Sequence, residues 1–175
     1  MIEITESIVI EAPCNLAWQT LTDFGAYHLW NSFLIPQSGR FRNGEVMEMK
    51  VRPPFEPYQV IEPQFANIAE GKSFSMGGSR LLWGSLSGEL TISLEPLELE
   101  SVRLTQRLVA NGFMAQYYVN RLMKTWKFGL SIMNSECKLR SETLFDEALM
   151  RASYDTLPSI FRPTLTSLTP STQSL

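Results

Sequence analysis

Residues for metal and redox chemistry are scarce: 175 residues hold one histidine, His28, and two cysteines, Cys14 and Cys137, with no Cys-x-x-Cys. That inventory excludes a disulfide framework and a Cys/His zinc site. A Cys–His nucleophile pair stays formally open. The bland reading makes both cysteines small hydrophobes, one in a short helix and one on an apolar helix stripe. Basic runs are also missing, the net charge is −3 and the pI is near 5.3, which argues against nucleic acid or an anionic membrane as the main partner. No apolar run approaches the roughly 20 residues that span a bilayer. The start, Met1-Ile2-Glu3-Ile4-Thr5-Glu6, is acidic and alternating, unlike a signal peptide, so a cytoplasmic protein is expected. Phosphate loops, dinucleotide fingerprints and nucleophile elbows are absent, which leaves metal-free, cofactor-free chemistry as the comfortable enzymatic class.

Proline is missing between Pro96 and Pro158, which leaves room for a long uninterrupted helix. Beyond Pro158 the balance reverses: 11 of the last 18 residues are Ser, Thr or Pro, the composition of a tail. Apolar residues make up 44% of the chain, an ordinary globular share and enough for one domain with a core.

Period-two alternation dominates the first two-thirds. Ile4, Ile8 and Ile10 share one strand face, and Glu6 has their parity. Pro13 suits the first turn of a helix that carries Ala17, Trp18 and Leu21, and a second helical turn is expected over Tyr27–Phe33. Asn43-Gly44 reads as a hairpin turn into a strand over Val46–Arg52, with Met47, Met49 and Val51 on one face. Tyr58–Ile61 and Ala66–Ala69 are short strand candidates, and Gly77-Gly78 reads as a turn. Leu90, Ile92 and Leu94 alternate up to Pro96, followed by Val102, Leu104, Gln106 and Leu108. One-faced alternation across several strands implies an antiparallel sheet with one packed side. After Gly112 the period changes: Val119, Leu122, Trp126, Leu130, Met133 and Cys137 recur at steps of three and four, an amphipathic helix. Leu144, Ala148 and Ala152 extend the stripe, as one unusually long helix or two in series.

Four stretches carry a family resemblance. The first is the strand leading into Ala12-Pro13-Cys14, the short helix, and Trp30-Asn31-Ser32-Phe33. The second is Arg80-Leu81-Leu82-Trp83-Gly84 with Gly88 to Leu97, and the third is Val102 to Arg107. The fourth is Met133-Asn134 with Lys138 and Glu142. In this order they resemble the START/SRPBCC helix-grip superfamily, which includes polyketide cyclases. The resemblance implies an α+β fold in which a curved antiparallel sheet wraps a long C-terminal helix around an internal apolar cavity. It spans residues 1–145, leaving a helical extension over 146–157 and the tail over 158–175. The sequence departs from the family pattern at Leu108, where Glu is common, and at Cys137, where Leu is common.

Polar residues on a packed face need a partner or a purpose. Gln106, between Leu104 and Leu108, either donates to an enolate or carbonyl oxygen or bonds a neighbouring group. Asn134 either touches a ligand or ties the helix to the sheet. Glu6 acts as a general base if it is buried, and is inert if the strand turns it outward. Met47, Met49, Trp83, Leu90, Ile92, Leu104, Trp126, Leu130 and Met133 are expected pocket walls, each with ordinary core as the alternative. The resemblance adds Tyr118, at the helix start where such cavities open. Two functions follow. One is a cofactor-free cyclase that enolises a reactive polyketide and closes a ring by aldol or lactone (pyrone) formation. The other is a carrier or sensor of a hydrophobic small molecule. A homodimer is expected from the leftover stripe over Leu144–Ala152.

Overall fold

The structure, a computed structural model, describes residues 1–54, 56–82, 86–111 and 115–156, without the side chains of 79–82, 86, 115–119, 122, 123 and 155. Strand β1 (Ile2–Ile10) leads into helix α1 (Cys14–Thr22) and a 3₁₀ helix (Phe24–Leu29). Strands β2 (Leu34–Ser38), β3 (Glu48–Val51) and β4 (Gln59–Ile61) follow, and then β5 (Gln64–Ala69), β6 (Ser73–Leu82), β7 (Leu86–Glu98) and β8 (Ser101–Asn111). Helix α2 (Ala115–Thr156) closes the described chain.

Two antiparallel sheets form, a five-stranded one in the order β1-β8-β7-β6-β5 and a three-stranded one in the order β2-β3-β4. In the large sheet β1 reaches across the chain to β8, from Ile2 opposite Ala110 to Ile10 opposite Val102. The alternation read in the sequence is its inner face: Ile4, Ile10, Leu90, Ile92, Leu94, Val102, Leu104 and Leu108 are buried. Register shifts at Ala66/Ala69, Gly78/Leu82 and Pro96/Glu98 bend β5, β6 and β7.

Pro13 caps α1, its carbonyl accepting the amides of Leu16 and Ala17 at 3.0 and 3.2 Å. Asp23 then caps the 3₁₀ helix through the amide of Ala26. These short elements fold an aromatic cluster onto the β5–β6 end of the sheet. There Phe24, Phe41, Phe65 and Phe74 meet at ring-centroid distances of 5.1 to 6.3 Å, with Trp18 on the edge of Phe74 at 5.9 Å. At the other end α2 lies along β1 and touches α1. This is the α+β helix-grip arrangement.

Helix α2 is one uninterrupted helix of 42 residues, about 63 Å at 1.5 Å per residue. Trp126, Leu130, Met133 and Cys137 of the stripe read from the sequence are buried, and Thr125, Gly129, Asn134 and Ser141 are buried beside them. Several boundaries differ from that reading. Strand β3 stops at Val51, just ahead of Pro53-Pro54, although the amide of Arg52 still donates to the carbonyl of Phe33 in the same register. Asn43-Gly44 is a turn but not a two-residue hairpin. The Gly44 amide bonds the Phe65 carbonyl and Asn43 Oδ1 accepts from the Ile68 amide, so the turn fastens a long connection to β5. Gly77-Gly78 is not a turn either: both residues pair with β7 inside β6, and Gly78, at φ +150°, opens the bulge there.

Candidate functional site

Gln106 points inward from β8 and is fully buried. Its Nε2 donates to Asn134 Oδ1, on α2, at 2.7 Å. The bond joins the sheet to the helix through the interior and gives each buried amide a polar partner there. It does not satisfy the pair. Gln106 Oε1 is buried without a partner, as is Trp126 Nε1 two helical turns before Asn134. Turning both amides over reverses the polarity and still leaves one Gln106 atom unpartnered. Buried polar atoms are almost always bonded, so each orphan marks a position where a water or a ligand atom would satisfy it.

Glu6 is the cross-strand partner of Gln106, so both side chains leave the sheet on one face. Glu6 lies at the flank of α2, half-buried, with Lys127 Nζ 3.7 Å from its Oε1. A recess of about 330 Å³ opens there, lined by Glu6, Lys124, Lys127, Phe128 and Ser131. Glu6 thus stands at a solvent-facing cleft, and its cross-strand neighbour Gln106 is bonded to Asn134 in the interior.

The walls around Gln106 are apolar. Ile92 is its partner on β7, Leu90 and Leu104 are buried on the same sheet face, and Leu130 and Met133 are buried on α2. Trp126 is held edge-on by Phe33 at 5.4 Å. Phe33 in turn lies against Gly129, where an added Cβ would sit 2.2 Å from the ring. Asn31 sets that ring in place: its Oδ1 accepts the amides of Phe33 and Leu34 at 3.0 and 2.9 Å, while its Nδ2 is a third buried atom without a partner. The Trp-Asn-x-Phe turn was legible as a motif; its role in positioning Trp126 was not.

The remaining sequence candidates are dispersed. Met49 is buried in β3, in the small sheet. Met47 lines a separate recess of about 300 Å³ with Phe24, His28 and Gly39. Trp83 and the side chain of Tyr118 lie outside the described residues. Lys138 and Glu142 turn out to be fasteners. Lys138 Nζ donates to the Val9 carbonyl at 2.8 Å and to Glu142 at 2.7 Å, and Glu142 Oε1 also accepts the Glu11 amide at 2.8 Å.

Among the described residues, burial favours the neutral form of two titratable groups. Burial pushes the Cys137 thiol up to about 12, against a weaker lowering by its contact with Ser141. Burial likewise raises Tyr27 well above the usual phenol range, with Cys137 and Asp23 adding to the effect. The Tyr27 hydroxyl donates to the Leu21 carbonyl at 2.6 Å. Among the described residues no helix is long and apolar enough to cross a membrane.

No protein-family model matches the sequence, and no curated protein matches it. Solved structures do. A protein from Thermus thermophilus superposes with a TM-score of 0.64 at 11% identity, covering 82% of this chain and 99% of that one. The Zhui aromatase/cyclase from a Streptomyces species matches at TM-score 0.61 and 12% identity, over 81% of this chain and 93% of its own. Norcoclaurine synthase from Thalictrum flavum, in complex with dopamine and hydroxybenzaldehyde, matches at TM-score 0.57 and 15% identity, over 78% and 84%. The chain therefore shares the helix-grip fold of these proteins.

Proposed function

Taking that fold as premise, we propose that the protein binds an apolar, carbonyl-bearing small molecule at the seam between β8 and α2 and acts on it as a cofactor-free cyclase. The observation that carries this reading is that two of the three buried, unpartnered side-chain atoms among the described residues, Gln106 Oε1 and Trp126 Nε1, belong to β8 and α2. Trp126 offers an N–H to a carbonyl or enolate oxygen. Gln106 offers an acceptor to an enol hydroxyl, and its Nε2 keeps a second N–H beyond the one given to Asn134. Such donors, fixed before the reaction, stabilise an oxyanion at no reorganisation cost. In the proposed reaction a proton leaves the carbon between two carbonyls. The enolate carbon then attacks a second carbonyl, whose oxygen takes the proton back (aldol closure), or the enolate oxygen attacks the terminal acyl carbon, which expels water or a thiol as the pyrone closes. Glu6, beside Gln106, is the proposed proton acceptor. Holding the chain folded contributes to the rate by orientation. That two enzymes share the fold, one an aromatase/cyclase by name, supports the reading by analogy.

A specific observation favours the rival, a carrier without chemistry. Glu6 is engaged with Lys127, and Tyr27 and Cys137 are held neutral. The experiment uses 2-acetonaphthone, an apolar aryl methyl ketone, in D₂O. A cyclase binds it and accelerates exchange of its methyl protons, followed by NMR, and Gln106→Leu and Glu6→Gln lower that exchange at least tenfold. A carrier binds it, by chemical-shift change, without acceleration. An absence of binding at millimolar ketone overturns both readings.

A further inference from the structure

A groove of about 470 Å³ runs between α1 with the 3₁₀ helix and the last third of α2. Each helix contributes one stripe of side chains to it. Leu16, Thr20 and Asp23 face it from α1, and Arg140, Leu144, Glu147, Ala148 and Arg151 face it from α2. Trp30 adds an aromatic wall, half-buried and set edge-on to Tyr27 at 4.7 Å. The volume is that of a small-molecule site, and a cleft between helices is a usual place for one. Four charged side chains reach the groove, and they are not equivalent. Asp23 Oδ1 already accepts the Ala26 amide at 3.3 Å. Glu147 and Arg151 are exposed. Arg140 is half-buried, and among the described residues its side chain makes no ion pair and no hydrogen bond. A guanidinium drawn partly out of water with no acceptor beside it bears a desolvation cost that an anion offsets, and its planar fork suits a carboxylate.

We propose that this groove is a binding site for an apolar monocarboxylate, an aryl- or alkyl-substituted acid, with its carboxylate on the Arg140 guanidinium and its hydrocarbon against Leu16, Trp30 and Leu144. Leu144 stands one turn after Arg140, so a ligand held at the guanidinium meets apolar wall within about 5.4 Å along the helix. The Thr20 hydroxyl is already given to the Leu16 carbonyl at 3.0 Å, which leaves the charge of Arg140 as the anchor. Asp23 and Glu147 line the same groove and repel a second negative charge, so a single carboxylate is favoured over a dicarboxylate or a phosphate. The proposal is independent of the seam between β8 and α2: no residue of β8 lines the groove, and neither do Glu6, Trp126 and Asn134.

The test titrates the full chain with 4-phenylbutyrate, read by calorimetry and by amide chemical shifts, with far-UV circular dichroism to verify folding of each variant. Saturable binding in the millimolar range or tighter is expected, with shifts at Thr20, Leu144 and Ala148 and none at Leu104. Arg140→Met weakens binding at least tenfold, and Arg140→Lys, which keeps the charge, weakens it less. Ala148→Phe fills the groove while leaving Arg140 in place, and it too costs at least tenfold. The neutral 4-phenylbutyramide binds at least tenfold more weakly than the acid. Phenylsuccinate, a dianion at neutral pH, does the same, and Glu147→Gln narrows that gap. An absence of binding at millimolar acid overturns the proposal, as do shifts at Leu104 in place of the groove. Equal binding of acid and amide, or indifference to both Arg140→Met and Ala148→Phe, overturns the anchor and the place assigned to it.

Discussion

At the scale of single residues, Gly129 is where one missing methyl decides the packing. The Phe33 ring occupies the space a side chain would need, 2.2 Å from an ideal Cβ. Gly129→Ala must displace Phe33, and with it the ring that holds Trp126. We expect a loss of about 1–3 kcal/mol in urea denaturation, the usual cost of overpacking, and weaker binding of an apolar ketone. A second residue-scale prediction concerns alkaline pH. The unfolded Cys137 thiol titrates near its ordinary 9.0, whereas the folded one is pushed up to about 12. The unfolded state therefore loses the proton first, and stability falls as pH rises from about 9 towards 12. The slope from one such group is at most about 1.4 kcal/mol per pH unit. Tyr27, raised in the same direction, adds to the fall. Urea midpoints at pH 8, 10 and 11 check this, and Cys137→Ala should flatten the curve. Gln106 was legible as a polar residue on an apolar face because strand parity alone reveals it. Its partner was not, because pairing with Asn134 depends on how α2 is rotated over β8, which periodicity does not specify.

Among the elements, the seat of α2 depends on a clamp at the end of β1. Glu142 accepts both the Glu11 amide and Lys138, and Lys138 also reaches the Val9 carbonyl. Glu142→Ala leaves the Glu11 amide without its acceptor and the half-buried Lys138 ammonium with the Val9 carbonyl alone, and a loss of about 1–3 kcal/mol is expected. Glu142→Gln keeps an oxygen in place and should lose less than half as much by the same urea measurement. The strands and helices were mostly legible, since periods of 2 and 3.6 switch cleanly near Gly112. Where the reading failed, glycine misled it. Gly77-Gly78 looks like punctuation but serves a bulge, and Asn43-Gly44 turns the chain without joining adjacent strands, because their partners lie on β7 and β5. The small β2-β3-β4 sheet was invisible as a separate unit, since alternation shows a face but not the sheet that owns it.

For the whole molecule, the core lies within the described domain, and the Ser/Thr/Pro-rich segment after Pro158 has too few apolar residues to build another. A chain ending at Thr156 is expected to keep its thermal midpoint nearly unchanged in calorimetry; a large drop would make the segment structural. The overall architecture was readable because its motifs occur in the fold's order. The reach of α2 beyond the domain was readable as a stripe but not as a surface, because nothing in the sequence tells where the body of the domain stops. A last consequence comes from the pairing of β1 with β8, Ile2 opposite Ala110. During synthesis the first strand appears about a hundred residues before its neighbour in the sheet. At translation rates of roughly 5–20 residues per second that is a wait of about 5–20 s. Throughout it the strand from Ile2 to Ile10, apolar on one face, has unmade ladder bonds, open to a holdase or to the same strand on a neighbouring nascent chain. Closing the sheet is therefore the late, long-loop step of folding, and the yield of active protein should depend on how quickly residues 101–111 follow residues 2–10 out of the ribosome.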